Sequence, residues 1–426
     1  MKKVRKFGKF LLNAAVFYQA LSSILISTVC FADADSSHWP LSTSGRWIVD
    51  AEGKRFKLKS VNWWGASDRL QVVGGLDHQP LSKIIQLIKQ WGFNSVRLPF
   101  SNQMLHDSRP VQVGAVLANP EMIGKTPLEV YDQVIRVLTD AGIGVILNNH
   151  TTTSEWCCNY DYNGLWYHSS IYKEIYSQTT QMWISDWVML SERYRGNRGV
   201  IGADLRNEVR TARLGDTYLP LSPQWGGGGD QDWHQAAQIA GNEILRVNPE
   251  ILVIVEGINW SGIANFFDLV PDWLSGGRPV LSPVKGLPIH LNAPNKLVYS
   301  AHQYAFTGPK NTGDRRSSGS HPAYSELSQA KWKEVTEQEW GYLLNAQEEY
   351  KAPVWLSEFG APPTGVSEQS QAWFERLVSY LIENNVDFAF WPLNGNDSWG
   401  LVSEDWSHIL DQDWRFDRLR KLIDSP

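Results

Sequence analysis

The apolar positions of this 426-residue chain fall into a recurring order: a short apolar or β-branched run, a polar loop, then a stretch with amphipathic-helix spacing. Eight short runs qualify as strands, at residues 58–62, 95–99, 144–148, 200–204, 251–256, 297–301, 353–357 and 387–391. Continuous apolarity over so few residues marks strands buried on both faces, as in a parallel sheet covered by helices. Helical patterns lie between them at 81–90, 128–141, 172–194, 233–247, 337–350 and 371–384. Strand and helix alternating in this way predict an α/β fold, a closed (β/α)8 TIM barrel. Residues 45–58 read as an N-terminal β-hairpin that lids the barrel, turning at Asp50-Ala51-Glu52-Gly53. The link between the fifth and sixth strands shows no long helical pattern. Long loops follow four strands, at about residues 100–126, 150–168, 208–232 and 304–332. Loops of that length are usually functional, and barrels place their chemistry where strands run into them.

The first residues break the pattern. Lys2, Lys3, Arg5, Lys6 and Lys9 precede an uncharged stretch over 11–29 and the sequence Cys30-Phe31-Ala32. This predicts a signal peptide over 1–32 and a secreted protein; an uncleaved anchor is the alternative. No linker or repeat divides the rest, so 33–426 is expected to be one barrel domain. Lys+Arg 39 against Asp+Glu 45 gives a net charge of −6, which excludes a dedicated nucleic-acid surface. Two cysteines remain once the leader is removed, which excludes a disulfide-rich or zinc-finger scaffold. Trp, at 21, outnumbers both Tyr and Phe, at 15 each. A buried indole N–H needs a partner, so many of these rings are expected along a cleft. Trp63, Trp64, Trp156, Trp166, Trp225, Trp260 and Trp399 fall in post-strand loops, whereas Trp355 sits mid-strand and reads as core.

The strand ends carry the chemistry. They finish in Asn62-Trp63-Trp64, Arg97, Asn149-His150, Asn207-Glu208, Glu256, His302-Gln303-Tyr304, Glu358 and Trp391. Polar groups are costly in such places unless they face a cleft or a partner. Glu208 and Glu358 end strands four and seven and would face each other across the barrel mouth. Glycosidic bond cleavage needs such a pair: one carboxyl protonates the leaving oxygen and the other attacks the anomeric carbon. No cluster has metal-ligand spacing, so neither metal nor cofactor is expected. Asn62 and Glu256 receive no catalytic assignment.

The sequence 93–99 (Phe-Asn-Ser-Val-Arg-Leu-Pro), Asn149-His150, Asn207-Glu208, His302-x-Tyr304, the run 355–360 (Trp-Leu-Ser-Glu-Phe-Gly) and Trp391 together resemble glycoside hydrolase family 5, cellulase-like retaining β-glycosidases. The resemblance spans roughly residues 40–425, with the motifs in the family's order. It implies that Glu208 is the general acid and then base, and that Glu358 is the nucleophile. It also implies that Asn207 holds the sugar 2-hydroxyl and that Arg97 and Tyr304 flank Glu358 and favour its charged form. His150 and His302 would bond sugar hydroxyls and the carboxylates, and Trp391 would form a platform under the sugar. Glu155-Trp156-Cys157-Cys158 followed by Asn163-Gly164 resembles a subset of the family. Cys157 and Cys158 can bond only to each other or stay free, and a vicinal disulfide beside the cleft is expected. Sequons at Asn149, Asn259 and Asn396 read as chance matches. The function expected is an endo-β-1,4-glucanase acting as a monomer on a β-linked oligo- or polysaccharide, off the membrane once the leader is cleaved. The alternatives are a β-glycosidase acting on mannan or glycolipid head groups, and a non-catalytic carbohydrate-binding barrel, against which the two glutamates speak.

Overall fold

In a computed structural model of the chain, the eight predicted runs are the eight staves of a closed parallel barrel. They are β1 Lys59–Asn62, β2 Ser95–Ser101, β3 Gly144–Thr151, β4 Val200–Asp204, β5 Leu252–Glu256, β6 Leu297–His302, β7 Val354–Phe359 and β8 Asp387–Phe390. Each pairs in parallel with the next, and β8 returns to β1. Every residue of β2, β3, β4, β5, β7 and β8 is buried, which is why their sequences are apolar without alternation. The structure describes residues 38–158, 162–168, 176–213, 220–258, 280–311, 317–345 and 350–426. The expected leader with Cys30, the ring of Trp260 and the sequon at Asn259 lie outside the described residues.

β2, β3 and β7 run two or three residues beyond their predicted ends, so His150 and Glu358 lie within strands. Register shifts fall near these ends, between Phe100 and Ser101, between Ala301 and His302, and between Leu356 and Phe359. Such irregularities re-aim side chains, and here they bring His302 opposite Glu358.

The N-terminal hairpin has one more turn than expected. Ser42–Ser44 and Trp47–Val49 pair antiparallel about Gly45, whose φ of +58° suits glycine. The predicted turn also forms: Asp50 Oδ1 accepts the N–H groups of Glu52 at 3.0 Å and Lys54 at 2.9 Å, and Val49 bridges Arg55. Ile48, with Trp39, Leu41 and Leu58, packs on Ile146, Ile201, Leu252, Ile254, Val298, Trp355 and Ala389. Several of these lie in the first two positions of their strands, so the hairpin plugs the N-terminal mouth and leaves the opposite rim open. Trp355 is fully buried there, as expected.

Among the described residues, seven helices of nine or more residues cover the barrel: α1 Leu81–Trp91, α2 Pro127–Asp140, α3 Thr180–Arg193, α4 Trp233–Val247, α5 Gln329–Glu339, α6 Glu368–Glu383 and α7 Phe416–Asp424. Helix α2 starts where a Thr126–Glu129 capping box and Pro127 dictate. Two predicted helices are corrected. Within the described part of the pattern over 172–194, from residue 176, the helix begins at Thr180, where the Thr179 side chain caps the Met182 N–H; residues 169–175 lie outside the described set. The helix predicted at 337–350 is instead α5, capped by Ser328, followed by a 3-10 turn over Gly341–Asn345. Only Trp332, Val335 and Thr336 of α5 are buried, so its periodicity is faint in sequence. Helix α7 was not predicted; Leu419, Leu422 and Ile423 anchor it. Most of the link after β5 lies outside the described residues. Among those described, no helix is long and apolar enough to cross a membrane.

Candidate active site

Arg97, the third residue of β2, is the centre of the open rim. It is fully buried and uses all five of its N–H groups. Nε donates to Asp204 Oδ2 at 2.7 Å; Nη1 donates to Asn62 Oδ1 at 2.9 Å and Glu358 Oε1 at 2.5 Å. Nη2 donates to Asn207 Oδ1 at 2.7 Å and Glu256 Oε1 at 3.0 Å. Burial alone would loosen the guanidinium proton, but Asp204, Glu358 and Glu256 reverse this and raise its pKa. Burial also pushes the Asp204 carboxyl up, against the pull of Arg97. The Tyr304 hydroxyl donates to Glu358 Oε2 at 2.8 Å, so both oxygens of Glu358 are held.

Glu208 follows β4 with a φ of +42°, left-handed backbone that a residue with a Cβ rarely adopts. Its N–H donates to Glu256 Oε2 at 2.7 Å, and its Oε1 lies 3.0 Å from His302 Nδ1. His302 Nε2 meets Ser357 Oγ at 2.9 Å and Glu256 Oε1 at 3.4 Å. Burial would lower the imidazole's pKa, but Glu256, Glu358 and the Glu208 bond raise it to about 10. The carboxylates around it thus favour the charged imidazole, the form in which both nitrogens donate. One oxygen each of Glu208 and Glu358 and a ring nitrogen of His302 all lie within 4.8 Å of one another.

These groups open into a cleft with room for about 370 Å³, within the range of small-molecule sites. His150 and Trp391 stack in its wall, ring centroids 5.5 Å apart and planes 9° from parallel. Burial, with Arg97 and His302 nearby, holds His150 well below the usual histidine range, so its ring is neutral. His150 Nδ1 faces Asn148 Oδ1 at 2.8 Å, and the Asn148 amide donates to Asp204 at 2.9 Å. That chain places the ring proton on Nδ1 and leaves Nε2 an acceptor. The structure joins the sulfurs of Cys157 and Cys158, both of which line the cleft. The Asn207 amide donates toward them at 3.4 and 3.5 Å. With His150 they form a group of potential ligands, but bonded sulfurs offer no thiolate.

The rim thus gathers all eight residues singled out from sequence: Arg97, His150, Asn207, Glu208, His302, Tyr304, Glu358 and Trp391. The loop tryptophans divide. Trp156 and Trp399 line the cleft, and Trp64 bonds Asp397 and meets Trp156 edge-on at 5.0 Å. Trp63 and Trp166 are fully buried, their N–H groups held by Gly74 O and Thr180 Oγ1. Trp225 spends its N–H on Leu287 O. Asn149 is wholly buried with its amide donating to Asn102, so the first sequon cannot carry a glycan. Sequence reasoning missed Asp204, Asn148 and Ser357. Asp204 left a trace, an ionisable residue closing an otherwise apolar strand. Asn62 and Glu256, left unassigned, bind Arg97.

A family model described as cellulase (glycosyl hydrolase family 5) matches residues 49–397. The chain is 34% identical over 380 residues to an endoglucanase of Paenibacillus polymyxa, covering 88% of this chain and 85% of that one. It resembles the structure of a hyperthermophilic endocellulase from the archaeon Pyrococcus horikoshii with a TM-score of 0.71 at 26% identity, over 90% of this chain and 98% of that one. Complexes of that endocellulase with cellotetraose match equally well, at a TM-score of 0.70. The catalytic domain of the major endoglucanase of Xanthomonas campestris gives 0.69 at 26% identity, over 90% and 99% of the two chains. One-third identity across most of both chains reflects descent rather than convergence on a common barrel, and the chain belongs to glycoside hydrolase family 5.

Proposed function

We propose that this glycosyl hydrolase is an endo-β-1,4-glucanase that cleaves β-glucans by double displacement with retention. The observation that carries the reading is the approach of the Glu208 and Glu358 carboxyl oxygens within 4.8 Å. Retention goes with carboxyl groups about 5–5.5 Å apart, whereas inversion needs about 6.5–9.5 Å to admit a water. Glu358, held by Arg97 and Tyr304, attacks the anomeric carbon while the Glu208 carboxyl gives its proton to the departing glycosidic oxygen. A water then attacks the same carbon, Glu208 takes its proton, and the ester bond to Glu358 breaks to restore both residues. His302 steers the Glu208 carboxyl. Asn207 is fixed with its oxygen on Arg97, so its N–H groups face the sulfurs and the sugar. His150 Nε2 accepts from a sugar hydroxyl, and Trp391 carries the ring at the cleavage point. Trp156, Phe306 and Trp399 extend the apolar walls for further sugars.

The names of the relatives support a β-1,4-glucan substrate, and one is called a major extracellular endoglucanase. That name and the basic-then-apolar pattern over 1–32 support an exported protein, with 33–426 as one monomeric barrel domain and the Cys157–Cys158 bond forming outside the cell. The test is proton NMR of cellotetraose digestion. The β-anomer of the new reducing end should appear first; the α-anomer first would reject double displacement. Parallel digestion of mannan and glycosylceramide should be slower, and a preference for either would reassign the substrate.

A further inference from the structure

Glu256 closes β5 with a wholly buried carboxylate to which the proposed reaction gives no task. Its Oε2 accepts the backbone N–H of Glu208 at 2.7 Å. Its Oε1 accepts from Arg97 at 3.0 Å and lies 3.4 Å from His302 Nε2. The other nitrogen of His302 meets the Glu208 carboxyl at 3.0 Å. One side chain therefore reaches Glu208 at both ends, directly at the main chain and through an imidazole at the carboxyl.

The contact falls where the main chain needs it. A φ of +42° at Glu208 sets its Cβ against its own carbonyl, a strained conformation for a residue with a side chain. Such a conformation persists only where its surroundings over-determine it. A charged acceptor makes the hydrogen bond to that N–H one of the strong ones. Without it, relaxation of the Glu208 backbone would swing the carboxyl away from the position that the cleft requires. A shift of about 1 Å in a reacting group is enough to cost about 10²-fold in rate.

We propose that Glu256 is a positioning residue for Glu208, holding its N–H directly and its carboxyl through His302 so that the acid's proton points at the leaving-group oxygen. The proposal rests on the assignment of Glu208 as the acid. The competing role is neutralisation of Arg97, through which a loss of Glu256 would act on Glu358 instead.

Glu256→Gln separates the two. Glutamine has one acceptor oxygen and one amide nitrogen, so it cannot accept from donors on both sides. Its NH2 must abut either the Glu208 N–H or the Arg97 and His302 donors. The readout is kcat/KM, which covers steps only through the first cleavage, for two substrates. Cellotetraose has a poor leaving group that needs a proton; 2,4-dinitrophenyl β-cellobioside has one that leaves without it. The variant should lose about 10²-fold on cellotetraose, the scale of a general-acid contribution. It should lose less than about threefold on the dinitrophenyl substrate, since no transition-state proton is missing there. Equal losses on both substrates would overturn the proposal in favour of the Arg97 role. If Glu256→Gln does not fold, Glu256→Asp, which keeps the charge but retracts the oxygen from Glu208, gives the same comparison. Failure of both variants to fold would assign Glu256 to the fold and overturn the proposal as well. A wild-type protein that cleaves neither substrate would refute the proposed function instead, so the two failures are distinct.

Discussion

Arg97 and Glu358 stand 261 residues apart in the chain and share a 2.5 Å hydrogen bond on the barrel rim. The guanidinium is fully buried and the carboxylate side chain is 5% exposed. The bond belongs to a set of five that uses every donor Arg97 has, so the cation is both counter-charge and template. Removing it would strand three buried carboxylates and two amide oxygens at once.

Arg97→Gln should therefore destabilise the fold by about 3–5 kcal/mol, the usual cost of leaving buried charges without their partner. Urea unfolding followed by tryptophan fluorescence would measure it. A change below about 1 kcal/mol would mean that water reaches the cluster and shields its carboxylates.

Glu358→Gln should abolish turnover of every β-glucan tested, by about 10⁴-fold or more, because no nucleophile remains. Glu208→Ala should behave differently. With a dinitrophenyl cellobioside and added azide it should yield the β-cellobiosyl azide, the anion taking the place of the water that needs a base. An α-azide, or azide rescue of Glu358→Gln in the β-configuration, would reverse the two assignments.

Stability should depend on pH in two windows. His302 is raised to about 10, above the ordinary 6.5, so its contribution is full below about 6.5 and is lost as pH rises through about 10. Burial raises Glu339 to about 8, against the hydrogen bond from Tyr324, so it too favours the protonated folded state and loses its contribution as pH rises through about 8. His150 and His168 run the other way. Burial lowers both, His168 to about 4, so folding is opposed as pH falls below 6.5. Melting temperature should fall on either side of a maximum near pH 6. Glu339→Gln, which mimics the protonated carboxyl, should flatten the part of the alkaline limb below about pH 8. An unchanged limb in that variant would remove Glu339 from the account.

Unfolded, unreduced protein produced from residue 33 onward should contain no titratable thiol, and reduction should release two, from Cys157 and Cys158. Two thiols before reduction would show that the pair is free in solution. The Asn207 amide would then face thiol groups rather than a bonded pair of sulfurs.

The barrel was legible because its strands are buried on both faces. Burial of that kind demands runs such as Leu252–Glu256 in which every residue is apolar until the rim, and no neighbouring chain is needed to recognise them. The polar residues at the ends of those runs were legible for the complementary reason, since Arg97, Glu208 or Glu358 closing an apolar strand must be compensated by something nearby. The apolar periodicity over 128–141 likewise announced α2, within one residue of its observed ends.

What the something is, only the closed barrel decided. Asn148 and Ser357 look like ordinary strand residues until β3 lies beside β4, where Asn148 meets Asp204, and β7 lies beside β6, where Ser357 meets His302. Glu256 acquires a meaning only when β5 brings it against the N–H of Glu208. The position of α5 depends on a few apolar contacts with the barrel rather than on its own weak periodicity, whereas α7 is amphipathic but only nine residues long, too short a pattern to stand out in the sequence. The split of the tryptophans, Trp63 into the interior with its N–H on Gly74 O and Trp156 onto the cleft, depends on how the loops fold over the rim. Sequence patterns record which groups must avoid water. Which partners satisfy them is a property of distances between residues hundreds of positions apart, and those exist only in the folded chain.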